Sequence, residues 1–104
     1  MRAETLKGHL DALILAVLAD RPLHGYAVIE ELRQRSEGAF DLAEGTLYPV
    51  LHRLEADGLL ESAWSRASGR RRRVYRLTRR GRGALARGRD EWAGFARAVD
   101  AVLA

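Results

Sequence analysis

The apolar and polar positions of this chain change period partway along it, and that change divides it into elements. Residues 6–19, LKGHLDALILAVLA, are apolar almost all the way round, with Leu6, Leu10, Leu13, Ile14, Leu15, Val17 and Leu18. Their length and Ala/Leu content favour a helix over a strand. A helix apolar on every side must be covered on every side, so one face is expected on the chain's own core and another on a second chain. Asp20-Arg21-Pro22 breaks it, because proline disfavours helix in the residue before it. A second helix follows from Gly25 to Arg35, with Tyr26, Val28, Ile29 and Leu32 at helical spacing, and Gly38 is suited to a left-handed cap. A third runs from Glu44 to Asp57 on a stripe of Leu47, Val50, Leu51 and Leu54, and Gly58 stops it. Leu59 to Trp64 and Arg73 to Leu77 then read as short strands. The Ser65–Arg70 turn between them makes a hairpin. Thr78 is a good N-cap for a last helix over 79–103.

The order is therefore helix, helix, helix, hairpin, helix: mainly α with a small two-stranded β-hairpin. This is the winged helix-turn-helix order. Residues 1–78 form the expected DNA-binding domain and 79–104 a C-terminal dimerisation helix, packed as one unit with the first helix. The third helix is the one that would enter a major groove.

Charge sharpens this picture. Of 104 residues, 18 are basic and 14 acidic, a net +4. Residues 1–61 carry six basic and eleven acidic groups, residues 62–89 carry eleven arginines and no acid, and residues 90–104 carry one basic and three acidic groups. The positive excess thus lies on the hairpin and the start of the last helix, where a wing would follow phosphates. The bland alternative, a solvated basic loop or tail, does not explain why the run coincides with the hairpin.

The runs LHGYAVIEEL (Leu23–Leu32), EGTLYPVLHRLEADGLL (Glu44–Leu60) and RRRVYRLTRRG (Arg71–Gly81) resemble the PadR family of bacterial regulators, from Gly8 to about Trp92. The resemblance implies a winged-helix domain, a homodimer and usually repression. A single C-terminal helix is similar to the short PadR subgroup. One departure is Ala43, where many members carry a capping Ser, Asn or Pro. The third helix is then expected to start slightly frayed or to be capped by Asp41.

Candidate DNA contacts fall into three groups. Thr46, Tyr48, His52 and Arg53 lie on the third helix off its apolar stripe, where hydroxyls near the N-terminus can meet phosphate and residues further on can reach base edges. His24, Gly25 and Tyr26 open the second helix, which crosses the backbone in such folds; packing alone could also explain Gly25 and Tyr26. Arg70, Arg71, Arg72 and Arg73 with Tyr75 form the wing. Strand alternation puts Arg71 and Arg73 on one face and Arg70 and Arg72 on the other. The partner implied is double-stranded DNA carrying an inverted repeat.

On the last helix Leu85, Gly88, Trp92, Phe95, Val99 and Val102 follow steps of three and four, a heptad-like seam. Leu10, Leu13, Leu85, Trp92, Val99 and Val102 are the expected dimer contacts. Trp92 and Phe95 are the candidate ligand-binding residues. The resemblance implies that an aromatic on this helix can line a central dimer pore that takes planar aromatic molecules, and Asp90 and Glu91 beside it would favour cationic ones. Trp92 as a plain interface anchor is the competing reading.

Exclusions complete the reading. There is no cysteine, so thiolate and disulfide chemistry are absent. His9, His24 and His52 show no ligand-like pairing, so neither metal nor cofactor is expected. No catalytic constellation stands out, so no enzyme is expected. No apolar run is long enough to span a membrane and no secretory signal is visible, which makes the cytoplasm the expected location. The alternatives to a ligand-released repressor are a regulator without its own ligand and a winged module that binds only protein.

Overall fold

The computed structural model describes residues 8–67 and 69–104. Leu6 and Lys7, placed in the first helix by their pattern, lie outside those residues. Helix α1 spans Leu10–Asp20 and buries Leu10, Ile14, Leu15, Val17 and Leu18. It ends where Arg21 turns extended ahead of Pro22. Its surroundings come mostly from its own chain: α2 (Gly25–Arg35), α4 (Arg79–Leu103) and strand β3 (Arg72–Leu77) all pack on it. A central helix of this kind explains the nearly continuous apolar run, with Leu13, Ala16 and Ala19 half-buried at its margin.

Helix α2 is capped by His24, and its chain leaves through Glu37 and Gly38 at positive φ, with the Gly38 N–H donating to the Arg33 carbonyl at 2.8 Å. Helix α3 spans Glu44–Ala56. Ala43 is its N-cap with no side-chain bond, and the Thr46 and Leu47 N–H groups both donate to the Ala43 carbonyl. Asp41 does not cap it; its carboxylate lies 4.0 Å from Arg33. Leu47, Leu51 and Leu54 have no exposed surface, so burial rather than capping fixes this helix.

Strands β2 (Leu60–Ser65) and β3 form the hairpin, paired from Leu60 with Leu77 to Ser65 with Arg72. The sheet has a third member. Strand β1, Leu23–His24, pairs antiparallel with Tyr75 and Val74, giving the order β1-β3-β2. The base of the hairpin is locked to α4. Thr78 donates its hydroxyl to the Gly58 carbonyl at 2.7 Å and accepts the Gly81 N–H at 3.0 Å. A Cβ at Gly81 would stand 2.1 Å from the Leu59 carbonyl oxygen, so only glycine allows this helix start.

At ~1.5 Å per residue, α4 is about 37 Å long, which accounts for much of the 52 Å extent of the molecule. Only Gly81 and Leu85 of this helix are buried. Gly88 packs on Ala12, and beyond it the contacts thin to the His9 ring against Trp92 and Phe95. Leu10 and Leu85, expected at a dimer interface, are corrected here: at 9% and 4% exposure they belong to the chain's own core. Leu13 is half-buried against that core. Trp92, Phe95 and Val102 are exposed, Val99 half-buried.

Candidate nucleic-acid interface

The start of α2, one side of α3 and the hairpin enclose an open groove of about 580 Å³, lined by His24, Tyr26, Glu44, Tyr48, His52, Trp64, Arg70, Arg71, Arg72, Arg73 and Tyr75. Each element brings its share for a local reason. Tyr26 lies on the solvent side of α2 and is half exposed. Tyr48 is held because Gly25 has no side chain: a Cβ there would meet the Tyr48 ring and hydroxyl at 2.7 Å. His52 follows one turn later, its ring 6.4 Å from that of Tyr48. Pro49 lies between them and removes the bond to the Gly45 carbonyl, which sits at an exposed position.

The wing side is more ordered than a row of free arginines. Trp64 stands opposite Arg73 in the ladder. The Arg71 guanidinium lies 4.2 Å and that of Arg73 5.5 Å from the Trp64 ring centre, so these two do share a face. Such stacking contributes about 0.5–1 kcal/mol at exposed sites and limits the directions the guanidiniums can take. Arg73 also lies 3.8 Å from Glu55 of α3, and Glu55 accepts the Ser62 hydroxyl at 2.5 Å; these contacts tie hairpin to helix. Arg72 points instead to His24 of β1. Burial, then the charges of Arg72 and Arg70, hold the His24 pKa below its ordinary value.

Three expected contacts stand differently. Tyr75 is 1% exposed and is a core residue at the base of the groove, which corrects its reading as a surface contact. Burial, then nearby Glu55, pushes its phenol above the ordinary range. Arg53 points away from the groove: its guanidinium donates to both Asp11 carboxylate oxygens of α1, at 2.6 and 3.1 Å. Thr46 is half-buried in the first turn of α3 and does not line the groove. Conversely, Trp64 and Glu44 line it without having been singled out. The signal for Trp64 was its strand position opposite the arginines, which only the register reveals. Among the described residues no cluster of His, Asp or Glu could hold a metal ion.

The family model for the transcriptional regulator PadR-like family matches residues 14–87, a span that includes most of α1, the helix-turn-helix, the wing and the start of α4. The chain belongs to the PadR-like family of transcriptional regulators. The transcriptional regulator Rv3488 of Mycobacterium tuberculosis is 48% identical over 86 residues, which is 83% of this chain and 78% of that protein. A PadR family transcription regulator from hypervirulent Clostridium difficile has a similar solved structure, with TM-score 0.82 and 34% identity over 92% of this chain and 99% of the other. A transcriptional regulator from Clostridium thermocellum is similar with TM-score 0.87 and 25% identity, over 96% and 95% of the two chains. This PadR-like chain therefore has the winged-helix fold of transcriptional regulators, with the wing and α3 on one groove. No helix among its described residues is long and apolar enough to cross a membrane.

Proposed function

We propose that this PadR-like regulator is a cytoplasmic homodimer that binds an inverted repeat in duplex DNA and represses transcription. The observation that carries the reading is the groove itself, where four successive arginines line one opening together with side chains of α3 while the first 61 residues of the chain are net acidic. Tyr26, Tyr48 and His52 face the duplex from the helix-turn-helix, Thr46 meets a phosphate at the α3 N-terminus, and Arg70–Arg73 follow the backbone. Arg53 joins them only where its Asp11 pair opens. Residues 1–78 carry DNA binding, and residues 79–104 the dimer contact.

The second half of α4 supports dimerisation. Trp92 and Phe95 are each 54% exposed, Val102 85% and Leu103 79%, an apolar stripe that a second copy would cover through Trp92, Val99 and Val102. The His9 ring lies edge-on to Trp92 at 5.3 Å and 6.1 Å from Phe95. Two such aromatic groups meeting at a two-fold axis would take a planar aromatic effector, and its release of DNA requires tighter binding to a DNA-incompetent dimer. A regulator without its own ligand is the second reading, favoured if Trp92 acts only as an anchor.

The test is binding to the DNA immediately upstream of the protein's own gene. A footprint over an inverted repeat, with one dimer per repeat, is expected. Absence of sequence-preferred binding by a protein that sediments as a stable dimer would overturn the proposal.

A further inference from the structure

His24 is placed between two hydrogen-bond donors. Its Nδ1 accepts the Ala27 N–H at 3.2 Å, which caps α2. Its Nε2 faces the Arg72 Nη1 at 2.5 Å. A guanidinium has five N–H donors and no acceptor, and a neutral imidazole has one N–H and one lone pair. With the lone pair engaged by Ala27, Nε2 carries the proton, and two donors face one another. In the other tautomer Nε2 accepts from Arg72, but an Nδ1–H then opposes the Ala27 N–H. The protonated ring loses both acceptors and adds a charge beside Arg72 and Arg70. No protonation state of His24 satisfies both neighbours, whereas one added acceptor that spreads Nε2–H and Arg72 apart and accepts from both does.

That acceptor must reach the ring from the groove. The groups around it there are Arg70 and Arg72 on the hairpin side, Tyr26 on α2, and Tyr48, His52 and Glu44 on α3. Glu44 forms no ion pair with Arg72 or His24 among the described residues. Two donors, one cationic, with a second cation close by, select an anionic oxygen. The groove is open and continues along further arginines, so its shape suits a strand rather than an isolated ion.

Resting on the reading of the groove as a DNA interface, we propose that His24 and Arg72 together form a backbone-phosphate site. One non-bridging oxygen accepts from Arg72 Nη1 and from the Nε2–H of neutral His24. The contact joins the β1–α2 junction to the wing, so it sets the placement of the wing relative to the helix-turn-helix along the strand.

His24→Asn tests this cleanly, because asparagine is itself a good N-cap and removes only the Nε2 donor. Binding is measured on the preferred duplex with single backbone phosphates replaced, one at a time, by neutral methylphosphonates. For the wild type, one position per half-site should weaken binding about tenfold through this contact. In His24→Asn and in Arg72→Ala that position should turn silent while the others keep their effect, and the double variant should lose no more than the stronger single one. Millimolar inorganic phosphate should not shift the His24 ring signals by ¹⁵N NMR as duplex does. An unchanged position profile in His24→Asn, with duplex binding intact, would overturn the phosphate site and leave the DNA reading standing. Equal shifts with inorganic phosphate would assign the site to a free anion instead. Failure of the wild type to bind any duplex would remove the underlying reading as well.

Discussion

Two exposed surfaces among the described residues are opposites in chemistry. The groove between α3 and the wing is lined by arginines, tyrosines and histidines, while the outer half of α4 presents Trp92, Phe95, Val102 and Leu103. Water solvates the first well, and two of its arginines are already steadied by Trp64 and Glu55. The second gains nothing from water. An apolar stripe at the end of a glycine-containing helix needs a partner to hold its shape, whereas a cationic groove can stay empty and fill reversibly. On the proposed reading the apolar surface is therefore covered permanently by a second copy, and the cationic one transiently by DNA.

The border between core and stripe gives the largest expected effect. Leu85→Arg places a charge in the chain's own core, at a cost of about 4 kcal/mol or more, a large part of a typical stability of about 5–15 kcal/mol. Thermal melting should show an unfolded or barely folded chain. Phe95→Arg, ten residues on, should leave circular dichroism of the body intact but give monomers by sedimentation, with operator affinity lowered about a hundredfold because two half-sites are no longer engaged together. If both variants behave alike, the division of α4 into two halves is wrong.

The groove predicts a different response. Arg71→Ala with Arg73→Ala should leave melting temperature and dimerisation nearly unchanged and weaken binding to all duplexes alike, with the salt slope shallower by about 0.9 for each phosphate that is no longer neutralised. His52→Ala should instead alter sequence preference, since one base contact is worth about 1–3 kcal/mol. Binding-site selection returning one motif for wild type and His52→Ala would take His52 off the base edges.

The smallest effect concerns acid. Because the folded His24 pKa lies below its ordinary value, owing to burial and then Arg72 and Arg70, the unfolded chain takes up this proton first. Stability is complete above the unfolded value of about 6.5 and declines as pH falls through it toward the folded value. Denaturant melts between neutral and mildly acidic pH should show this decline in the wild type, and a smaller one in His24→Asn.

Much of this was legible in the sequence, and what was missed has a physical pattern. The bounds of α2 and α4 could be read because the turn and cap chemistry around Pro22, Gly38 and Thr78 is local. The three-four spacing of Leu47, Leu51 and Leu54 fixed α3 for the same reason. Strand β1 was missed because two residues carry no period; Leu23 and His24 become a strand only through register with Tyr75 and Val74, about fifty residues further along the chain. Alternation sorted the arginines into faces but could not say which face meets the core, and so Tyr75 was misplaced. The seam of α4 reads as one stripe from Leu85 to Val102, yet Leu85 is buried in the chain's own core while Trp92, Phe95 and Val102 are exposed among the described residues. Periodicity marks a surface for burial without naming what buries it. The Arg53–Asp11 pair spans 42 positions, and nothing local announces it.

The central claim is that the arginine groove of a dimer binds duplex DNA through its backbone. Its most direct test is the dissociation constant for the upstream inverted repeat, measured by fluorescence anisotropy across a salt series. About six phosphate contacts per dimer predict a loss of about a thousandfold between about 50 and 200 mM salt, one dimer per repeat, and a shallower slope for the Arg71/Arg73 variant. An affinity that hardly changes with salt, or a slope identical in that variant, would contradict the account.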